Sequence, residues 1–341
     1  MRLSPGLRAM AATSLGVLAL VMASCSSDDS DPASSSTSSP GSTETTLVEE
    51  PLEDGGEETT TVDLADCTVD VDELPEEPRV EESTDDTYRY IDSNGMPDHS
   101  VGEFPNTGNP NALSPQEQSF RMRLDPDGTG ADLGLGMFGV AVNGIVFEGE
   151  AAEFWQNDEN SGWQYDALGG GIGLGFDCNT AHVQPNGKYH YHGVPKGLVD
   201  VLGVNGDEMT LIGWAADGNP MYVVYGYSEP NDAESEVVVL ESSYELKTGE
   251  RPGGSDVSGG TDVPGGTDGP GGNYDGTFVE DWEYVPDSGD LDECNGREGT
   301  TPDFPGTTYY YVLTETFPFV PRCYVAAPDE SFELGGPGPN R

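Results

Sequence analysis

Apolar positions along this chain come in short runs separated by turn residues, and helical spacing is nearly absent. Phe138 to Val142 and Ile145 to Phe147 flank Asn143-Gly144, a pair that accepts positive φ and so predicts a tight hairpin. The same style recurs from Leu211 to Tyr227, where Asp217-Gly218 separates Ile212-Gly213-Trp214 from Met221 to Tyr225. Val237 to Leu240 and Tyr309 to Leu313 are further β-branched or aromatic runs. Ala151 to Gln156 is the best short helical candidate. The pattern predicts a mainly β protein: a single sandwich-like β domain over residues 66–334, with long irregular loops, preceded by a disordered tether.

The ends read differently. Arg2 and Arg8 precede an apolar run from Ala11 to Ala23, too short to span a bilayer, and Met22-Ala23-Ser24 stands before Cys25. That order predicts a signal peptide over residues 1–24 and a lipidated Cys25 anchoring the protein to the extracytoplasmic face of the cell membrane. Met22 stands where Leu is usual, so ordinary secretion is the alternative. Residues 25–65 are Ser, Thr, Asp, Glu, Pro and Gly with few aliphatics, which cannot bury enough apolar surface to offset chain entropy. A second low-complexity stretch, 253–276, reads as a flexible Gly-rich loop insertion, because aromatic sequence resumes on both sides. Residues 335–341 read as a disordered tail.

Charge narrows the partners. Sixty-three Asp and Glu stand against 13 Lys and Arg, a formal charge of −50, which excludes nucleic acid and disfavours anionic ligands. Cations are favoured.

The most informative stretch runs from Ala181 to Gly193. Pro185-Asn186-Gly187 supplies the conformations of a three-residue hairpin with a bulge, which sets Gln184 opposite Lys188. Counting back by pairs places His182 across from His190, with His192 two residues further along the same face. Tyr189 and Tyr191 then point the other way, toward the core. Three imidazoles on one face are hard to satisfy by packing, since each buried neutral ring needs a donor and an acceptor. A transition metal ion, Cu or Zn, satisfies all three, and only deprotonated imidazole binds, so affinity should fall below about pH 6.5. His99, the remaining histidine, is the candidate fourth ligand. Packed core histidines are the bland alternative.

The run Tyr189-His190-Tyr191-His192 within its surrounding block resembles the signature of the YHYH domain family of extracytoplasmic bacterial proteins. Asn94 to His99, Gly139 to Gly144, Gly175 to Asn179, Ala216 to Pro220, Leu291 to Arg297 and Phe317 to Cys323 resemble that family's other blocks, in order. The resemblance covers roughly residues 90–332, departs at the Gly-rich insertion before Tyr274, and implies a domain and a compartment more than an activity. All four histidines fall within the family-like blocks, which favours the metal reading.

With Cys25 assigned to lipid, four cysteines remain, and an oxidising compartment predicts two disulfides with three possible connectivities. Cys294 to Cys323 and Cys67 to Cys178 are favoured; Cys178 as a thiolate ligand is the alternative. Asp125-Pro126-Asp127-Gly128 starts like a calcium loop but has Gly136 at its twelfth position, and reads as a turn. Gly169 to Gly175 lacks the Lys of a phosphate loop; its glycines allow close backbone approach. Three functions therefore stand: a non-catalytic metal-binding lipoprotein, a metalloenzyme with an open water position and Asp98 or Asp177 as base, and an adhesion or scaffold module without metal.

Overall fold

Asn143-Gly144 and Asp217-Gly218 both close hairpins in the computed structural model, which describes residues 62–253 and 269–333. At each turn the glycine takes the positive φ that a side chain resists, +81° at Gly144 and +96° at Gly218. The signal peptide, Cys25, most of the tether, most of the Gly-rich insertion and the tail lie outside the described residues.

In chain order, β1 (Val80–Thr84), β2 (Tyr88–Ser93) and β3 (Gln118–Arg123) form an antiparallel meander, and β4 (Ala131–Asp132) follows. Then come β5 (Gly139–Ala141), β6 (Val146–Phe147), β7 (Ala181–Val183), β8 (Tyr189–Tyr191), the helix α1 (Lys196–Leu202), β9 (Leu211–Ala215) and β10 (Pro220–Val223). Two short pairs intervene, β11 (Tyr225–Tyr227) with β12 (Val237–Val239) and β13 (Tyr244–Leu246) with β14 (Trp282–Tyr284). The chain ends with β15 (Gly296–Gly299), β16 (Thr308–Leu313) and β17 (Cys323–Tyr324), the last pairing with β4.

Eight of these strands form one sheet in the order β15-β16-β10-β9-β5-β6-β8-β7. Its pairings are antiparallel except β10 with β16 and β6 with β8. The meander places Ile91, Phe120 and Met122 in the same core as Val140, Val146, Tyr191, Met221 and Tyr311. The architecture is thus mainly β, as the apolar pattern predicts.

Two details differ from the sequence reading. Ala151 to Gln156 is not a helix: Trp155–Asn157 makes one 3-10 turn. The α-helix instead follows the hairpin as Lys196–Leu202, stopped at Gly203 with φ +70°. Its Gly197 lies against the His99 ring so closely that a Cβ there would stand 2.7 Å from Cγ of His99.

Cys67–Cys178 and Cys294–Cys323 are the two disulfides, with Cα–Cα distances of 5.5 and 5.0 Å. Cys178 is therefore not a thiolate ligand, since its sulfur is bonded to Cys67. No helix among the described residues is long and apolar enough to cross a membrane.

Candidate metal centre

The hairpin register places His182 directly opposite His190, as the turn chemistry predicts. Gln184 N–H donates to Lys188 carbonyl at 2.8 Å, and Gly187 takes φ +89°. Residues 189 to 192 are buried whichever way they point: Tyr189 and Tyr191 on the core face of β8, His190 and His192 on the opposite face beside the His182 ring.

On the imidazole side the three rings converge through Nε2. His192 Nε2 stands 2.9 Å from His190 Nε2 and 3.3 Å from His182 Nε2. At a Zn–N bond length of about 2.0–2.1 Å, two nitrogens of a tetrahedral site are about 3.3 Å apart. Among the described residues, these three form the one group of His, Cys, Asp and Glu close enough to hold an ion together.

The tautomers follow from the outer contacts. His182 Nδ1 lies 3.0 Å from the Leu174 carbonyl and must carry the proton, leaving Nε2 a bare lone pair. His190 Nδ1 faces the Lys188 carbonyl at 3.4 Å, which has the same effect. His192 can donate one Nε2–H to only one of these lone pairs at a time, whereas a cation accepts from all three. His192 Nδ1 is buried with no protein partner. Leu174 belongs to the Gly-rich run, whose close approach brings this carbonyl to Nδ1 at the ring edge. At Gly175, φ is +67° and a Cβ would meet Asn106 Oδ1 at 2.4 Å.

Burial is also the main cause of the low imidazole pKa values: His182 lies below the ordinary histidine value, and His190 and His192 well below it. Each ring's charge opposes protonation of its neighbours, adding to the effect in His190 and His192. Proton competition for a metal should therefore begin at a more acidic pH than the about 6.5 of free histidine. For the metal-free protein, linkage fixes the sign of the contribution these rings make. Unfolded histidines take up protons near pH 6.5 while the folded ones do not, so the unfolded state binds more protons and stability is lost as pH falls. Between about pH 6.5 and 5.5, urea midpoints should fall, each histidine contributing a slope of up to about 1.4 kcal/mol per pH unit. A wild-type profile no steeper than that of the His190→Ala/His192→Ala variant would show that the rings are not buried neutral.

His99 does not join the cluster. It lies on the tyrosine side of β8, where Tyr191 donates its hydroxyl proton to Nε2 at 2.6 Å and Nδ1–H donates to the Ser100 carbonyl at 2.9 Å. Asp98 and Asp177, the expected bases, are on that side as well. Asp177 accepts from Tyr189 Oη at 2.6 Å and from Gly102 N at 2.9 Å; Asp98 accepts from Asn143 Nδ2 at 2.9 Å. The carboxylate beside the rings is Glu148, whose Oε2 stands 3.7 Å from His190 Nε2. A cleft of about 490 Å³ reaches the three histidines, and Glu148, Glu150 and Glu153 line it. Glu148 was hidden because β6 pairs with β8 in parallel across some forty residues, a contact with no local signal.

The model of a family described as YHYH protein matches residues 119–326. Comparison with curated proteins and with solved structures finds no match.

Proposed function

The chain belongs to the YHYH protein family, and we propose that its domain binds one transition-metal ion, copper or zinc, through His182, His190 and His192. The observation that carries this reading is the convergence of three Nε2 atoms on two buried rings and one half-buried ring, two of the separations being 2.9 and 3.3 Å, with Nδ1 of His182 and of His190 turned to backbone carbonyls on the far side. Neutral imidazoles suit Cu(II) or Zn(II) and not Ca or Mg, which take oxygen ligands. Protein purified without a histidine tag should carry about one copper or zinc per chain by elemental analysis. A metal-free preparation that takes up neither ion would leave the rings as packing.

We place this binding on the outer face of the cell membrane, with the acylated Cys25 as anchor and 25–65 as tether; the support is the charged start, apolar run and small residues before Cys25. Cys25→Ser should move the protein from the membrane fraction to the soluble one. A mutant that stays with the membrane would refute the anchor.

The second reading, a hydrolytic centre, is favoured by the cleft that reaches the rings. Neither Asp98 nor Asp177 would be its base, because β8 stands between them and the imidazoles.

A further inference from the structure

Glu148 has no part in the three-histidine reading, yet its surroundings are unusual for this chain. It directly follows β6, and its N–H donates to the Tyr191 carbonyl at 2.9 Å, so the residue is fixed against the strand that carries two of the rings. Its two carboxylate oxygens are divided. Oε1 accepts from Lys188 Nζ at 2.6 Å, while Oε2 accepts from Gln184 Nε2 at 2.7 Å and lies 3.7 Å from His190 Nε2. The side chains of Lys188 and Glu148 are 8% and 9% exposed, so this is a buried ion pair in a chain of 63 acidic and 13 basic residues.

Charge and geometry give this arrangement a meaning. Three neutral imidazoles leave a dication's full charge uncompensated among largely buried groups, and a charge in such surroundings needs an opposite one close by. Glu148 Oε2 is the nearest carboxylate oxygen to the rings, 3.7 Å from His190 Nε2 against the about 3.3 Å spacing of two ligands on one tetrahedral ion; it stands outside the cluster that the three rings form, so its side chain must swing toward His182 and His192 to share an ion with them. Lys188 holds the other oxygen, which is how carboxylate ligands are ordinarily oriented. Gln184 and Lys188 face each other at the hairpin end, so the hairpin that presents the imidazoles also presents the two groups that aim the carboxylate.

We propose that Glu148 is the fourth, anionic ligand of the centre, binding through Oε2 while Lys188 and Gln184 orient it, and that this makes the site selective for a dication over the monocation Cu(I). The proposal rests on the three-histidine reading. It closes the coordination shell with protein groups, which suits capture of an ion better than turnover.

The test uses the full chain with Zn(II) and Cu(I), each titrated by competition with a chelator. Glu148→Gln should weaken Zn(II) by more than the about 10- to 100-fold that outer partners of metal ligands are worth, and leave Cu(I) within a few-fold. Because Glu148→Gln leaves Lys188 buried without its partner, the Glu148→Gln/Lys188→Met double variant, which removes both charges, is measured alongside and should show the same selective loss. Equal Zn(II) affinity in wild type and double variant, or equal loss of both ions, would make Glu148 a structural partner of Lys188 and overturn the proposal. Wild-type protein that binds neither ion would instead sink the three-histidine reading itself.

Discussion

Replacing either His190 or His192 by Ala is expected to abolish stoichiometric binding of Zn(II) and Cu(II). Each substitution removes one of three converging nitrogens from a site buried on all sides but the cleft, and the hole it leaves cannot supply a donor in the right place. The loss should exceed the about 10- to 100-fold that outer partners of metal ligands are worth. Thermal scans give a second readout, because an ion at 100 times its Kd stabilises the folded state by about 2.7 kcal/mol, and that increment should vanish in the variants. Tyr189→Phe is the control: it removes a hydroxyl bonded to Asp177 on the opposite face, costs about 1–3 kcal/mol of stability, and should leave metal affinity unchanged. Calorimetry that shows unchanged binding in the His190→Ala/His192→Ala double variant would make the rings structural.

The second large effect concerns the disulfides. Cys67–Cys178 closes a loop with a sequence separation of 111, Cys294–Cys323 one of 29. The loop-entropy relation assigns about 4.8 and about 3.6 kcal/mol to the two links, against the 5–15 kcal/mol of an ordinary domain. Cys67→Ala/Cys178→Ala should therefore lower the urea unfolding free energy more than Cys294→Ala/Cys323→Ala, and removing all four should leave little folded protein at 37 °C. Non-reducing peptide mapping should recover both links without a free thiol. Equal, small losses would indicate that the unfolded chain is already restricted by something other than these links.

The parts of the structure legible in the sequence are those decided locally. Pro185-Asn186-Gly187 sets a register, the register sets a face, and three histidines follow from counting. Asn143-Gly144 and Asp217-Gly218 fix two further hairpins by the same physics. What stayed hidden depends on contacts distant in sequence. His99 was eligible by chemistry, but it reaches β8 from the tyrosine side, which no spacing reveals. Asp177 was a candidate base by chemistry alone, yet it is committed to Tyr189 and Gly102. Glu148 reaches the rings through a parallel pairing, and α1 is a seven-residue helix with a glycine at its second position, below the length at which periodicity shows.

The alternation of Tyr189, His190, Tyr191 and His192 makes β8 a partition between two chemistries, an apolar chamber with its hydroxyl network on one side and a nitrogen cage on the other. Because side chains on a strand alternate with period two, one residue gained or lost in the turn before it would exchange the rooms: phenols would face the cleft and imidazoles the chamber, with every residue of the motif still present. The length of the Gln184 to Lys188 turn is thus as much a determinant of the site as any ring, and an indel there would be more damaging than most substitutions. Composition at these four positions and spacing ahead of them act as a single unit.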